Sequence, residues 1–267
     1  MTEPFRFKPG GSPLVVSFPH PGTFVPEAIL ARMSDTGRRL IDTDWHVDRL
    51  YNFLGEFDAT SIVSNLSRYV ADLNRDPNGH ALYPGRFETA MCPIVTFGGE
   101  AIYGALERPD EAEVAERVRE YWQPYHAKLK EAVAETRMKH GYAVLLDAHS
   151  ILSEVPSLFD GHLPHLNLGT ADGKSCAPEI AHAAAAALQQ EPKFSFVANG
   201  RFKGGYITRQ YGDPEKNVHA LQLEISMRAY LNEKTYTTFD DRRAAPLRAV
   251  LRTFIGETVN AARAHYK

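Results

Sequence analysis

The sequence predicts an α/β domain with a central mixed β-sheet flanked by helices on both faces. Three observations carry this. Short apolar runs such as PLVVSF, YAVLLD and ALQLEI alternate with long stretches of helical period. The YAVLLD run shows no polar alternation, the pattern of a strand covered on both faces. The 267 residues, 43% of them hydrophobic, suffice for one sizeable core, so a single domain over residues 1–267 is expected.

The elements follow in order. Pro13 to Phe18 reads as a buried strand that runs into His20, and a charge-rich helix is expected from about Asp35 to Glu56. Thr60 to Asn65, Tyr69 to Leu73 and Met91 to Phe97 have strand composition. From Asp110 to His140, Val114, Val118, Tyr121, Tyr125 and Leu129 recur at helical spacing, and Gly141 suits the residue after the last turn. Tyr142 to Asp147 is the next strand and delivers Ala148, His149 and Ser150 to its C-terminal end. A helix over about 177–190, strands at Phe194 to Ala198 and Ala220 to Ile225, and a helix carrying Leu247, Val250, Leu251, Phe254 and Val259 complete the pattern.

Composition narrows the function. With 30 Lys and Arg against 33 Asp and Glu mixed along the chain, nothing favours nucleic acid or an anionic membrane as partner. Neither cysteine, Cys92 or Cys176, belongs to a CxxC pair, so any metal must be held by histidine and carboxylate. The N-terminal MTEPFRFKPGGSP lacks an apolar signal core, and no stretch approaches the roughly 18 apolar residues of a membrane span. A cytoplasmic protein is expected.

Three polar groups follow apolar strands, where an α/β sheet gathers function at one edge. They are His20 in SFPHPG, Asp42, Asp44 and His46 in IDTDWHVD, and Asp147 and His149 in LLDAHS. Histidine and carboxylate are the ligands of a catalytic zinc, although each such residue alone more often has a bland role. His126, His140, His182 and His265 lie in helical patterns and read as surface residues. The stretch SNLSRYVADLNRDP packs Arg68, Asp72, Asn74, Arg75 and Asp76 into nine residues. Its guanidinium groups can clamp carboxylates, or it can be a plain surface ion-pair run. Glu224 in HALQLEIS can face solvent or serve as a general base. Gly204 and Gly205 in NGRFKGGYITRQYG suit a loop closing on a ligand, followed by Arg209, though a hairpin is the simpler reading.

At these residues the chain resembles the N-formylglutamate amidohydrolase family, and more distantly the zinc carboxypeptidases and aspartoacylase. SFPHPGTFVPE, DTDWHVDRLY, SNLSRYVADLNRDP, LLDAHS, LPHLNLGT, NGRFKGGYIT and HALQLEIS match as ordered motifs over about residues 13–226. The resemblance implies the phosphorylase/hydrolase-like fold of the zinc carboxypeptidases. It also implies one zinc ion and a small acidic N-acyl amino acid as substrate, N-formyl-L-glutamate first. A broader N-acyl amino acid deacylase, a small zinc carboxypeptidase and a catalytically silent dicarboxylate-binding protein are the alternatives. Carboxypeptidase sites pair the first histidine with a glutamate three residues on, whereas Thr23 stands there in this chain. The resemblance to the formylglutamate family points to the DTD loop for the carboxylate and implies His20, Asp44 and His149 as ligands, with Asp42 and His46 as rivals for Asp44. By the same resemblance Glu224 is the general base, Arg68 supports the oxyanion or a second carboxylate, and Asn74, Arg75, Arg209 and Gly205 bind substrate.

Overall fold

The computed structural model describes residues 3–82 and 85–267. Its strands are β1 (Phe5–Lys8), β2 (Leu14–Phe18), β3 (Thr60–Ser64), β4 (Ala143–Ile151), β5 (Leu166–Gly169), β6 (Phe196–Ala198) and β7 (Val218–Ser226). They form one sheet in the order β1-β3-β2-β4-β7-β5-β6. The run β3, β2, β4, β7 is parallel, β1 is antiparallel to β3, and β5 is antiparallel to β7. The sheet is thus mixed, as expected. The helices are α1 (Glu27–Leu30), α2 (Asp35–Arg38), α3 (Val47–Leu50), α4 (Glu111–Arg117), α5 (Gln123–His140), α6 (Pro178–Gln189), α7 (Tyr206–Tyr211) and α8 (Asp241–His265).

Side-chain alternation divides the two central cores. Leu14, Val16, Phe18, Val144 and Leu146 pack with α6 and α8 on one face, while Val15, Ala143 and Leu145 pack with Leu129 and Val133 of α5 on the other. Every residue of β4 and β7 is buried, which is why residues 143–146 of β4 read as a continuous apolar run. None of the helices among the described residues is long and apolar enough to cross a membrane.

Several expected elements differ. The helix from Asp35 to Glu56 is replaced by α2, α3 and a 3-10 turn at Leu54–Phe57. Leu40 and His46 take left-handed backbone conformations there, and the Asp44 N–H donates to the His20 carbonyl at 3.0 Å instead of to a helical turn. Tyr69 to Leu73 and Met91 to Phe97 are not strands. They are joined by single links such as Asp72 N–H to Met91 O at 2.7 Å, and Tyr69 and Val70 pack against Val25, Ile29, Met33, Ile102 and Tyr103 in a separate cluster. The helix expected from Asp110 to His140 is continuous but passes through a π turn at Val118–Trp122, immediately before α5. Pro124 lacks the N–H that would close a normal turn there. Gly141 ends α5 at φ 82°, as expected. β1, β5 and α7 lie in segments for which no strand or helix is expected from the sequence.

Candidate active site

The parallel run sends the C-terminal ends of β2, β4 and β7 to one edge of the sheet. His20 lies just beyond β2, and β4 carries Asp147 at its middle and His149 towards its C-terminal end. Strand register does the rest: His149 pairs with Glu224, and Asp147 with Gln222, across β4 and β7. Glu224 is buried and lines the cavity, so the solvent-facing alternative for it is excluded.

His20, Asp44 and His149 meet there, with one potential ligand atom from each within 4.8 Å of the others, all three buried. Asp44 Oδ2 accepts from the Ser150 N–H at 3.1 Å and lies 3.0 Å from His149 Nδ1 and 3.8 Å from His20 Nδ1. The outer ring nitrogens are held by buried carboxylates. His20 Nε2 is 2.8 Å from Asp72 Oδ1, and His149 Nε2 is 2.8 Å from Asp147 Oδ2. A carboxylate on the outer nitrogen, leaving the inner one for a cation, is the usual support of a metal-binding histidine. The donor set therefore fits a metal ion.

The rivals for Asp44 are engaged elsewhere. Asp42 Oδ2 accepts from Tyr69 Oη at 2.7 Å and from the Phe97 N–H at 2.9 Å. His46 Nε2 bonds the Thr237 carbonyl at 2.9 Å, and its ring packs on Phe239.

Arg68 reaches into the same group. Its Nη2 contacts His20 Nδ1 and donates to Asp44 Oδ1 at 3.1 Å, while the guanidinium lies 5.0 Å from the Phe97 ring centroid. Its positive charge faces the acceptors that a metal would use. Burial and then Arg68 depress the His20 pKa. Burial alone would depress His149 too, but Asp147 and Asp44 outweigh it and hold the ring well above the ordinary histidine range. For Asp44, burial is outweighed by Arg68 and by the two histidines, and its pKa falls. Glu224 is pushed up to about 8 by burial, with Asp44 adding to the rise and His149 and Arg68 opposing it.

A cavity opens over this cluster. Arg75 lines it, its Nε donating to Thr89 O at 3.0 Å and its Nη2 to Thr89 Oγ1 at 3.1 Å. Asn74 also lines it but is only 5% exposed. Its amide donates to Asp147 Oδ2 at 3.2 Å and lies 3.0 Å from His149 Nε2, while its Oδ1 accepts from the Ile207 N–H at 2.8 Å. The amide is thus turned to the protein, a use different from the expected grip on substrate. Gly205 lines the cavity, with its N–H on Gln222 Oε1 at 2.7 Å. The double glycine opens α7 rather than a hairpin.

Arg209 departs from expectation. It is exposed beside Ala171, Asp172 and Gly212 at a separate surface depression, with its Nε on Gly204 O at 2.8 Å, because its place on α7 directs it away from the sheet edge. The arginine of this motif that does line the cavity is Arg201. Arg201, Gln222 and Thr89 are cavity residues to which sequence reasoning assigned no role. Their only signal was proximity to the GG and LEIS motifs, and for Thr89 there was none.

Histidine burial brings a further correction. His182 and His265 are exposed and His140 is half-buried, but His126 is buried. It bonds Leu73 O at 2.8 Å and Tyr211 Oη at 3.0 Å, and so supports the backbone that leads into Asn74 and Arg75.

The chain is 42% identical to a Pseudomonas aeruginosa protein named N-formylglutamate deformylase, over 100% of both chains. It is 39% identical to one of the same name from Pseudomonas putida, over 96% of this chain and 95% of that one. A solved N-formylglutamate amidohydrolase from Ralstonia eutropha superposes with a TM-score of 0.77 at 25% identity, covering 98% of each chain. An Agrobacterium tumefaciens protein shares the fold, with a TM-score of 0.72 at 17% identity over 97% of this chain and 96% of that one. Since the family profile described as N-formylglutamate amidohydrolase also matches residues 12–231, this chain belongs to the N-formylglutamate amidohydrolase family.

Proposed function

We propose that this protein hydrolyses N-formyl-L-glutamate to formate and L-glutamate, using one zinc ion held by His20, Asp44 and His149. The observation that carries the metal assignment is the meeting of these three side chains beside Glu224, with a buried carboxylate on each outer histidine nitrogen. The substrate is taken from the family and from the names of the two Pseudomonas relatives.

A zinc ion bound here would supply a Lewis acid and lower the pKa of water at the site. Glu224 takes a proton from the attacking water and returns it to the leaving amine, two transfers that one carboxylate can make without moving. Arg68 balances negative charge as the formyl oxygen becomes an oxyanion, a contribution worth about 3 kcal/mol where donors are fixed in advance. Asp72 and Asp147 fix the two histidine rings, and Asn74 fixes Asp147. Arg75 receives a substrate carboxylate, its guanidinium held in place by Thr89. By the family resemblance, release of glutamate suits the last step of a histidine-degradation route in the cytoplasm.

The test is formate release from a panel of N-acyl glutamates and aspartates, paired with metal analysis. We expect N-formyl-L-glutamate to be the best substrate and about one zinc per chain. Ala substitutions at His20, Asp44 and His149 should each abolish activity and metal retention while leaving the fold. A silent panel sinks the deformylase reading. Full zinc in Asp44→Ala, with loss in Asp42→Ala or His46→Ala, moves the carboxylate or third ligand elsewhere.

A further inference from the structure

Arg75 and Arg201 line the same cavity in different settings. Arg75 is next in sequence to Asn74, whose amide touches Asp147 and His149, so it sits beside the metal-ligand cluster. Arg201 lies on the loop between β6 and α7. Its Nε donates to Leu158 O and its guanidinium carbon is 5.2 Å from the Phe202 ring centroid. Leu158 and Phe202 belong with Ile151 to an apolar cluster separate from the main cores, and all three face the cavity.

The chemistry of an N-formyl glutamate sorts these two walls. With the formyl group at the cluster, the α-carboxylate is attached one carbon from the amide nitrogen and must be met close by. The side chain continues through two methylenes before its own carboxylate, which calls for an apolar strip followed by a cation. Ile151, Leu158 and Phe202 are such a strip, and Arg201 is its cation.

We infer that Arg201 is the specificity-determining residue that reads the side-chain carboxylate, leaving the α-carboxylate to Arg75. This rests on the deformylase reading above and adds to it the reason for an acidic side chain. A guanidinium already oriented by a backbone carbonyl and an aromatic face gives up little freedom when it meets a carboxylate.

The test compares N-formyl-L-glutamate with N-formyl-L-norvaline, which keeps the carbon chain and lacks the second carboxylate. In the metal-loaded enzyme, Arg201→Met should lower kcat/KM for the glutamate substrate about 10–100-fold, the loss of hydrogen bonds to a charged group. It should leave the norvaline substrate unchanged, which also shows that the variant is folded. Arg75→Met should depress both substrates together. The assignment is overturned if Arg201→Met keeps the wild-type preference for glutamate or loses both substrates equally. Wild-type enzyme that cleaves both equally well also overturns it while the deformylase reading stands. Wild-type enzyme that releases formate from neither removes that reading first.

Discussion

A carboxylate that takes a proton from water and hands it on works best with a pKa near the working pH, and burial of Glu224 supplies that shift. Its carboxyl is pushed up to about 8 by loss of water, with Asp44 adding to the rise against the pull of His149 and Arg68. A divalent cation among its neighbours would draw the value back down and favour the ionised, basic form. Position agrees with this role, since strand register puts Glu224 beside His149 while His20, Asp44 and His149 suffice as a ligand set. Glu224→Gln keeps size and polarity but removes the basic oxygen. We expect kcat to fall by on the order of 10²–10⁴ with zinc content unchanged. Loss of the metal in this variant would make Glu224 a ligand, and wild-type turnover would deny it any part in the chemistry.

Among the elements, α7 matters most to the site because it is anchored to the residues behind the histidines. Asn74 Oδ1 caps the Ile207 N–H at its start, and the same amide donates to Asp147 Oδ2. The approach is so close that a Cβ on Gly205 would stand 2.3 Å from Asn74 Nδ2. Gly205→Ala therefore cannot leave Asn74 in place. A displacement of about 1 Å near the reacting groups can cost on the order of 100-fold, so kcat/KM should drop by about that factor while circular dichroism stays native. Unchanged kinetics would mean that α7 moves freely without disturbing Asp147 and His149. What was legible in the sequence follows the same logic. Strands that deliver His20, His149 and Glu224 carry strong apolar runs, so the fold class and the gathering of these side chains at one sheet edge could be read together, whereas the choice of Asp44 as a ligand rested on the family resemblance. The segment from Asp35 to Glu56 could not, because its backbone hydrogen bonds are diverted to hold Asp44, as in Asp44 N–H to His20 O. Tertiary packing also buries Tyr69 and Val70 without a sheet, which β-type composition alone cannot distinguish. Arg201 and Arg209 belong to one motif, and only the placement of α7 tells which of them faces the cavity.

At the scale of the whole molecule, the buried histidines make stability depend on pH. His126 is 6% exposed, and burial pushes its pKa down to about 4 despite the Leu73 carbonyl that favours its protonated form. His219 is likewise pushed down to about 4, first by burial and then by His265. The unfolded chain takes up a proton on each ring near pH 6.5, whereas the folded chain resists until about pH 4. Between these values the unfolded state binds more protons, so the stability present above pH 6.5 is progressively lost as pH falls toward 4. For His126 alone the loss should reach about 2 kcal/mol at pH 5. His126→Gln removes the titrating ring but keeps a donor for the Leu73 carbonyl. Urea unfolding of both proteins at pH 7.5 and pH 5, with chelator throughout so that acid-dependent metal release does not enter, isolates this contribution. The variant should be less stable than wild type at pH 7.5, having lost ring packing on Trp122 at 3.8 Å and the contact with Tyr211, yet should lose less on acidification by about the 2 kcal/mol assigned to His126. Equal losses in the two proteins would show that His126 takes up its proton as readily in the folded chain as in the unfolded one, and would assign the acid sensitivity to other groups.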